Sequence, residues 1–300
     1  MQLLKACEEG ALPIVCTISP RLYPPCSSKV ICCVPPPKLL LRVAVEHRHP
    51  SVLKYLLANL PINPQEQTPW DLGSFYERSS TTRYRQDYVC DELINQAVSS
   101  GCPSVVQVLL DAGMDVNHVP HDFTHQPISY AVVMGDLKMV KFLLEKGADP
   151  DERDIRHGLT LLAYAARDSS EDIMLALLAH GAQIPGSGAL VMAVEGNISV
   201  ARLLLDNGAD VNELVDLRDV KYKEEDEENI EEAKEKKTTA LHIAAREGHI
   251  EMVEFLLKNG ANKHILDWKS DFPVHEARQR GHAEIATLLE SSTSSPASNR

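Results

Sequence analysis

One phrase recurs along this chain of 300 residues, and its spacing constrains the fold more than any other feature. Each clear copy has an alanine, then a glycine four residues later (Ser169 in one copy) and a leucine twelve residues later. The alanines of these copies are Ala97, Ala131, Ala165, Ala244 and Ala277, with looser copies at Ala44 and Ala193. From Ala97 onward the intervals are 34, 34, 28, 51 and 33 residues. A period near 33 residues indicates a repeat protein with one supersecondary unit per copy.

Each unit reads as two short helices and a turn. Pro127 and Pro273 stand where the first turn of a helix needs no backbone N–H. A glycine follows each second helix, where a left-handed C-cap favours that residue; these are Gly113, Gly147, Gly181, Gly208 and Gly260. Helices of this length are marginal alone, so each pair must bury its apolar face against the next pair. The pattern therefore predicts an all-α solenoid of stacked helix-turn-helix units.

The residues within the phrase resemble the ankyrin repeat. The signature Thr-Pro-Leu-His-x-Ala is approached by ThrAlaLeuHisIleAla, from Thr239 to Ala244, and by PheProValHisGluAla, from Phe272 to Ala277. A closing phrase, LeuLeuAspAsnGlyAlaAspValAsn, ends at Asn212 and has close copies elsewhere. This resemblance implies β-hairpin-like loops between the helix pairs. It also implies that His242 and His275 hydrogen-bond the backbone of a neighbouring loop.

The copies and their interruptions divide the chain into segments. We predict a degenerate first repeat at 1–15, an irregular segment rich in proline and cysteine at 16–38, a repeat at 39–60, an aromatic-rich insertion at 61–89, four repeats at 90–212, an acidic insertion at 213–237, two repeats at 238–290 and a disordered tail at 291–300. Six prolines within 16–38 argue against a regular second helix there. That segment is either a divergent, disordered cap or the product of a gene-model error.

Both insertions have two interpretations. Residues 61–89 combine aromatic side chains with arginines, which suits a protein interface, but such a loop can also fold back over the adjacent helices. The run from Asp219 to Lys237 has nine acidic residues and five lysines. It is either a solvated loop or an attraction for a basic partner.

Composition and charge limit the function classes. A net charge of −13 argues against general binding of nucleic acids or anionic membranes. The chain has no apolar run long enough for a spanning helix, and Glu8 and Glu9 occupy a place where a secretory signal would be apolar. We therefore expect a cytoplasmic or nuclear protein that is a monomer.

Catalytic and metal-binding signals are weak. The seven cysteines include no CxxC pair, which favours free thiols over a zinc site. His118, His121 and His125 have a spacing that suits a metal, but they fall in a loop where polar residues are ordinary. The chain has no glycine-rich phosphate loop, serine elbow or HExxH motif. We predict no enzymatic activity, no cofactor and no metal.

The resemblance implies a protein-binding function through loop tips and a concave groove lined by the first helices. By register, the loop tips are Asp122 and Phe123, Arg156 and His157, and Trp268 and Lys269. The groove positions are Val133 and Met134, Arg167 and Asp168, and Arg246 and Glu247. We expect a non-catalytic scaffold or adaptor that binds other proteins. The alternative is a structural or regulatory fragment of a larger multidomain ankyrin protein.

Overall fold

The computed structural model describes residues 2–22, 37–60, 91–117, 126–153, 159–194, 197–216 and 237–291. The chain divides into two compact units, Met1–Asp149 (unit 1) and Pro150–Arg300 (unit 2). Each unit consists of antiparallel helix pairs packed side by side. The predicted insertion at 61–89 and the predicted tail, from residue 292 onward, lie outside the described residues.

Unit 1 contains successive pairs of a first and a second helix. The pairs are α1 (Gln2–Glu8) with α2 (Leu12–Leu22), α3 (Pro37–Glu46) with α4 (Pro50–Asn59), α5 (Asp91–Ser99) with α6 (Pro103–Asp111), and α7 (Pro127–Val133) with α8 (Leu137–Glu145). The first helices pack in the order α1, α3, α5 and α7, and the second helices α2, α4 and α6 pack behind them. The core therefore runs between the two rows of helices.

Unit 2 repeats this arrangement. Its pairs are α9 (Leu161–Arg167) with α10 (Glu171–Ala179), α11 (Ala189–Ala193) with α12 (Ile198–Asp206), α13 (Ala240–Glu247) with α14 (Ile250–Lys258), and α15 (Pro273–Gln279) with α16 (Ala283–Ser291). The first helices again pack in chain order. Two short antiparallel strands, β1 (Val215–Asp216) and β2 (Lys237–Thr238), pair in the register Val215 to Thr238.

The recurring alanines and leucines form the core of both units. Ala97 and Ala244 are fully buried between first helices, and Leu109 and Leu256 are fully buried on the second helices. Alanine permits close approach of neighbouring first helices because its side chain is small. The predicted all-α fold of stacked ankyrin-type helix pairs is confirmed.

Asparagine side chains join successive repeats at the loops. Asn117 donates from Nδ2 to the Gly147 carbonyl at 3.0 Å and accepts from the Asp149 N–H at 2.9 Å. In unit 2, Asn212 donates to the Gly260 carbonyl at 3.3 Å and accepts from the Asn262 N–H at 2.7 Å. The same pair of asparagine hydrogen bonds thus joins repeats whose recurring alanines are 34 residues apart and repeats whose recurring alanines are 51 residues apart.

The acidic insertion leaves the fold between β1 and β2. Asp216 pairs with Lys237 at the end of this ladder, so the insertion begins and ends at adjacent backbone positions. Residues 217–236 lie outside the described residues. Because Asn212 still reaches Gly260, the insertion does not separate the repeats on its two sides.

The shortened repeat at Ala193 has a compensating contact. Its first helix, α11, has five residues, and the turn before it is compact. The backbone of Gly186 in this turn is held from both sides: Arg153 Nη2 donates to its carbonyl, and its N–H donates to Glu213 Oε1. The side chains of Arg153 and Glu213 therefore hold the short turn at Gly186 in place.

The prediction that 16–38 lacks a regular second helix is wrong for residues 16–22. Helix α2 continues to Leu22, and α3 already begins at Pro37. Pro13 lies in the first turn of α2, where no N–H is required. Pro20 provides no N–H for the Cys16 carbonyl, but the Tyr55 hydroxyl donates to that carbonyl at 3.5 Å. Residues 23–36 lie outside the described residues, and the two interpretations of that segment stay predictions.

Candidate protein-binding surface

The predicted contact residues fall into two groups. The loop-tip residues Asp122, Phe123, Arg156 and His157 lie outside the described residues. Trp268, Lys269 and all of the predicted groove positions are described. The geometry of the candidate surface therefore comes from the ends of the first helices and from the last loop.

In unit 1 the ends of the first helices form a continuous surface, which we call the helix-end row. It consists of the second and third residues after each recurring alanine: Glu8 and Glu9, Glu46 and His47, Ser99 and Ser100, and Val133 and Met134. Val133 is 45% exposed and Met134 is 64% exposed. They form the one apolar pair among the described members of this row.

Contacts between repeats place these pairs next to one another. His49 Nε2 lies 2.9 Å from the Glu8 carbonyl oxygen, and the parallel rings of His49 and His47 are 6.5 Å apart. At the other end of the row, a Cβ atom added to Gly101 would lie 3.5 Å from Asp136 Oδ2. The turns that follow neighbouring first helices are therefore in direct succession.

Ser99 and Ser100, whose side chains are small, lie beside the apolar pair Val133 and Met134 and form a strip of the row. Ser99 Oγ donates to the Asn95 carbonyl at 2.8 Å, and Ser100 Oγ donates to the Ala97 carbonyl at 2.6 Å. Both hydroxyls therefore bond to carbonyls of their own helix. The larger Met134 stands on one side of this strip and His47 on the other.

In unit 2 the described equivalent positions are charged except Gln279. The Arg167 guanidinium lies 4.5 Å from the centroid of the Tyr164 ring, and its Nε is 3.0 Å from Asp168 Oδ1. Both Arg167 and Asp168 are exposed. The Arg167 cation is thus held over an aromatic ring, an arrangement that reduces the freedom the side chain must lose on binding.

Arg246, predicted as a groove position, is buried instead. Its side chain is 7% exposed, and its Nε lies 3.3 Å from Glu247 Oε1. The next repeat places Glu276 nearby in the interior; burial raises the pKa of this carboxyl, while Lys269 and Arg246 act to lower it. Arg246 therefore balances charge between the last two repeats, and Glu247 is the exposed member of the predicted pair.

The last loop is held in a defined conformation. Asp267 Oδ1 accepts hydrogen bonds from the Lys269 and Asp271 N–H groups at 2.9 and 2.8 Å. The Trp268 N–H donates to the Lys237 carbonyl at 2.9 Å, which joins this loop to β2. Trp268 is half-buried, and Lys269 Nζ lies 4.9 Å from the centroid of its ring. These hydrogen bonds hold the loop that carries Trp268 and Lys269.

Sequence reasoning missed two exposed leucines. Leu214 and Leu266 each lie six residues after the glycine that ends a second helix, Gly208 or Gly260, and both are exposed. Their equivalent register was the available signal. It was weak because exposure of a single leucine is common.

His242 has the role that the family resemblance implies. Its Nε2 lies 3.2 Å from the Asp271 carbonyl oxygen in the next loop, and its Nδ1 lies 2.8 Å from Thr239 Oγ1. Burial lowers the pKa of this histidine. His275 Nδ1 lies 3.1 Å from Asp271 Oδ1, and the segment that follows this last repeat lies outside the described residues.

Among the described residues, no group of His, Cys, Asp or Glu side chains has a metal-binding arrangement. The predicted loop histidines His118, His121 and His125 lie outside the described ranges. No described helix combines the length and apolar character needed to cross a membrane.

Comparison with known proteins identifies the family. A model described as "Ankyrin repeats (3 copies)" matches residues 41–154, 150–214 and 220–299. The chain is 26% identical over 228 residues to the nuclear factor NF-kappa-B p105 subunit of Gallus gallus, a match that covers 70% of this chain and 21% of that protein. It is 29% identical over 207 residues to the ankyrin repeat and KH domain-containing protein mask-1 of Caenorhabditis elegans, covering 62% of this chain and 8% of that protein. The chain thus spans a small part of these relatives.

Solved structures show the same fold. The ankyrin repeat domain of Bcl-3, described as a unique member of the IkappaB protein family, has a TM-score of 0.59 at 23% identity, covering 83% of this chain and 97% of that one. The human ASB11 ankyrin repeat domain has a TM-score of 0.52 at 23% identity, covering 67% of this chain and 84% of that one. The chain therefore belongs to the ankyrin-repeat family, whose repeats are generally modules for protein–protein interaction.

Proposed function

We propose that this protein is a non-catalytic adaptor or scaffold that binds partner proteins through its helix-end row and its loop tips. One observation carries the proposal: Val133 and Met134 are exposed side by side at positions where the other described members of the row are polar. Methionine is enriched at protein interfaces, and an adjacent apolar pair in water is most simply explained by a contact that covers it.

The remaining predicted contacts are part of this proposal. They are Asp122, Phe123, Arg156, His157, Arg167, Asp168, Glu247, Trp268 and Lys269. Arg246 supports the surface from inside because it is buried next to Glu247. Trp268 and Arg167 have the most specific support, since each is already held against a neighbouring group before a partner binds.

The oligomeric state, the compartment and the excluded ligand classes are inferred from the charge of the chain and from its family. We infer a monomer in the cytoplasm or nucleus that binds neither nucleic acids nor membranes and has no enzymatic activity. The net charge of −13 supports the exclusion of anionic partners. The name of the Gallus gallus relative, a nuclear factor, supports the compartment.

A second candidate function is that of a structural or regulatory part of a larger ankyrin protein. It is favoured by coverage, because the chain spans 21% of one relative and 8% of another. In that case the same surface would contact another domain of the same polypeptide.

The test is affinity capture from a native lysate with three forms of the full chain. The wild type is compared with a Val133→Asp, Met134→Asp double variant and with Ile14→Asp. Ile14 is a matched control because it is 47% exposed in the same unit but lies on a second helix, α2. Circular dichroism verifies the helix content of each form.

We expect proteins captured by the wild type and by Ile14→Asp to be lost from the double variant, as measured by quantitative mass spectrometry. Equal capture by all three forms would show that the helix-end row is not the binding surface. If the wild type enriches no protein over an unrelated bait, the adaptor function itself is refuted.

A further inference from the structure

Two arginines of unit 2 occupy the same place in two copies of the phrase and differ in exposure. Arg167 and Arg246 are each the second residue after a recurring alanine, and each is followed by an acidic residue. The Arg167 side chain is 36% exposed, whereas the Arg246 side chain is 7% exposed. The other described residues at this place are all exposed; they are Glu8, Glu46, Ser99, Val133 and Gln279. Arg246 is therefore withdrawn from a surface that its equivalents share.

The adjacent carboxylate does not account for this difference. Nε of Arg246 lies 3.3 Å from Glu247 Oε1, and Nε of Arg167 lies 3.0 Å from Asp168 Oδ1. Both arginines thus have the same kind of neighbour along the chain at a similar distance, yet one is buried and the other is exposed. The cause must lie in groups that differ between the two repeats.

The repeats that follow the two arginines differ at the residue before the recurring alanine. This residue is Met192 after the repeat of Arg167, and it is Glu276 after the repeat of Arg246. Both Met192 and Glu276 are buried. The other buried residues at this place in the phrase are Val43, Tyr164 and Ile243, none of which is charged. Glu276 is therefore a carboxyl group at a place that is otherwise uncharged when it is buried.

A buried carboxylate requires a compensating charge, because removal of an ion from water is costly. Burial raises the pKa of Glu276; Lys269 and Arg246 act to lower it, and Asp267 and Asp271 act to raise it. Lys269 is exposed in the last loop, so Arg246 is the one of these two cations that is buried with Glu276. The Glu276 carboxylate thus attracts the Arg246 guanidinium toward the contact between α13 and α15.

Two further differences between the repeats supply rival explanations. The Arg167 guanidinium lies over the Tyr164 ring of its own helix, and Ile243 occupies the place of this ring in the repeat of Arg246. In addition, His282 of the last repeat covers the end of α13, since its Nε2 lies 2.9 Å from the Arg246 carbonyl oxygen. Each explanation predicts a different response of Arg246 to substitution.

We propose that Glu276 is a positioning residue for the candidate protein-binding surface of unit 2, because its carboxylate holds Arg246 between the last two repeats and so removes a guanidinium from that surface. Glu247 is then the exposed member of its pair, whereas Arg167 and Asp168 are both exposed. Arginine is enriched among the residues that dominate binding at interfaces. One residue of the next repeat therefore changes what the surface offers to a partner. This consequence rests on the proposed function, whereas the position of Arg246 does not.

The test measures the reactivity of arginine side chains in the folded full chain. Phenylglyoxal modifies guanidinium groups, and mass spectrometry of peptides gives the rates for Arg246 and Arg167 in the same sample. In the wild type we expect Arg246 to react about fivefold more slowly, as the side-chain exposures of 7% and 36% indicate. Glu276→Gln removes the charge at nearly constant shape, and Glu276→Met introduces the residue type of Met192. We expect both variants to raise the Arg246 rate to that of Arg167.

Two controls separate this effect from the rival explanations and from a general loosening of the last repeat. His282→Asn introduces the residue type of Asn197, which lies in the corresponding turn of the Ala193 repeat, and we expect Arg246 to stay protected. Diethyl pyrocarbonate modifies accessible histidines. His242 is 1% exposed, and its Nε2 lies 3.2 Å from the Asp271 carbonyl oxygen of the last repeat, so it reports whether that repeat stays docked. We expect His242 to be unreactive in every variant.

Three results would overturn the proposal. If Arg246 reacts as fast as Arg167 in the wild type, the side chain is not withdrawn. If Arg246 stays protected in both Glu276 variants, or if His282→Asn releases it, another group holds the side chain. If the release of Arg246 is accompanied by modification of His242, the last repeat has undocked and Glu276 has only a structural role.

These measurements need no partner, so the two proposals fail in different ways. If no lysate protein depends on the helix-end row while Glu276→Gln releases Arg246, the positioning role stands and the adaptor function is refuted at that surface. If lysate partners are captured while Arg246 stays protected in both Glu276 variants, the adaptor function stands and the positioning role is wrong.

Discussion

Replacement of Ser169 by glycine is expected to stabilise the protein. Ser169 occupies the turn position that follows a first helix, and its φ of +56° lies in the left-handed region. The equivalent residues in neighbouring copies of the phrase include Gly135, with φ +69°, and Gly248, with φ +83°. A side chain in this conformation costs about 1–2 kcal/mol relative to a right-handed one.

The net gain is smaller than this cost, because glycine also increases the freedom of the unfolded chain. That increase disfavours folding by about 0.5–1 kcal/mol. We therefore expect Ser169→Gly to raise the free energy of unfolding by about 0.5–1 kcal/mol, the difference between these terms. Urea denaturation followed by circular dichroism measures it as a shift of the unfolding midpoint.

Two variants control for the conformational argument. Ser170→Gly makes the same chemical change one residue later, where φ is −88° and glycine relieves no strain. We expect it to lower stability by a few tenths of a kcal/mol, as glycine does at a helix N-cap. Ser169→Ala keeps the strained φ and should be close to neutral. If Ser169→Gly is destabilising, or if it matches Ser170→Gly, the strain argument is refuted.

Three further predictions follow from the contacts within the repeats. Asn212→Ala removes two hydrogen bonds to the next repeat and should lower the free energy of unfolding by about 1–3 kcal/mol. The control Asn207→Ala removes one hydrogen bond, to the Leu203 carbonyl, and should lower it by less. Urea denaturation measures both changes. Because burial lowers the pKa of His242 below its usual 6.5, its neutral form is favoured in the folded state. Its contribution should be complete above pH 6.5 and lost as the pH falls below it, a slope that His242→Gln should flatten in unfolding titrations. Burial, with the nearby Glu8 charge, raises the pKa of Cys7 to about 11. We therefore expect iodoacetamide at pH 8 to alkylate native Cys7 far more slowly than Cys102, with both rates measured by mass spectrometry. Equal rates in the folded protein would contradict this prediction.

Most of the fold could be predicted from the sequence because the repeat phrase is local. The alanine at one position and the leucine twelve residues later define the two helices, and the glycine between them defines the turn. The role of His242 also followed from the phrase, since its partner lies at a constant register in the next loop. The extent of α2 did not follow, because the Tyr55 hydroxyl that meets the Cys16 carbonyl comes from another repeat.

The candidate surface could be predicted only in part. Its positions followed from register, and Val133 and Met134 are exposed at two of them. Register did not predict that Arg246 is buried, because this depends on Glu276, thirty residues later, which occupies an interior position of the next repeat. Nor did it predict that Leu214 and Leu266 are exposed.

The sequence by itself thus determined the repeating unit, its helices and its turns, since these depend on interactions between residues a few positions apart. The tertiary structure alone decided which equivalent positions face solvent and which are covered, because each repeat is buried by side chains that its neighbours supply. The contrast between Val133 and Arg246 illustrates this difference: the residue two positions after the recurring alanine is exposed in one repeat and buried in another. Stacking, rather than local pattern, therefore determines the surface available to a partner.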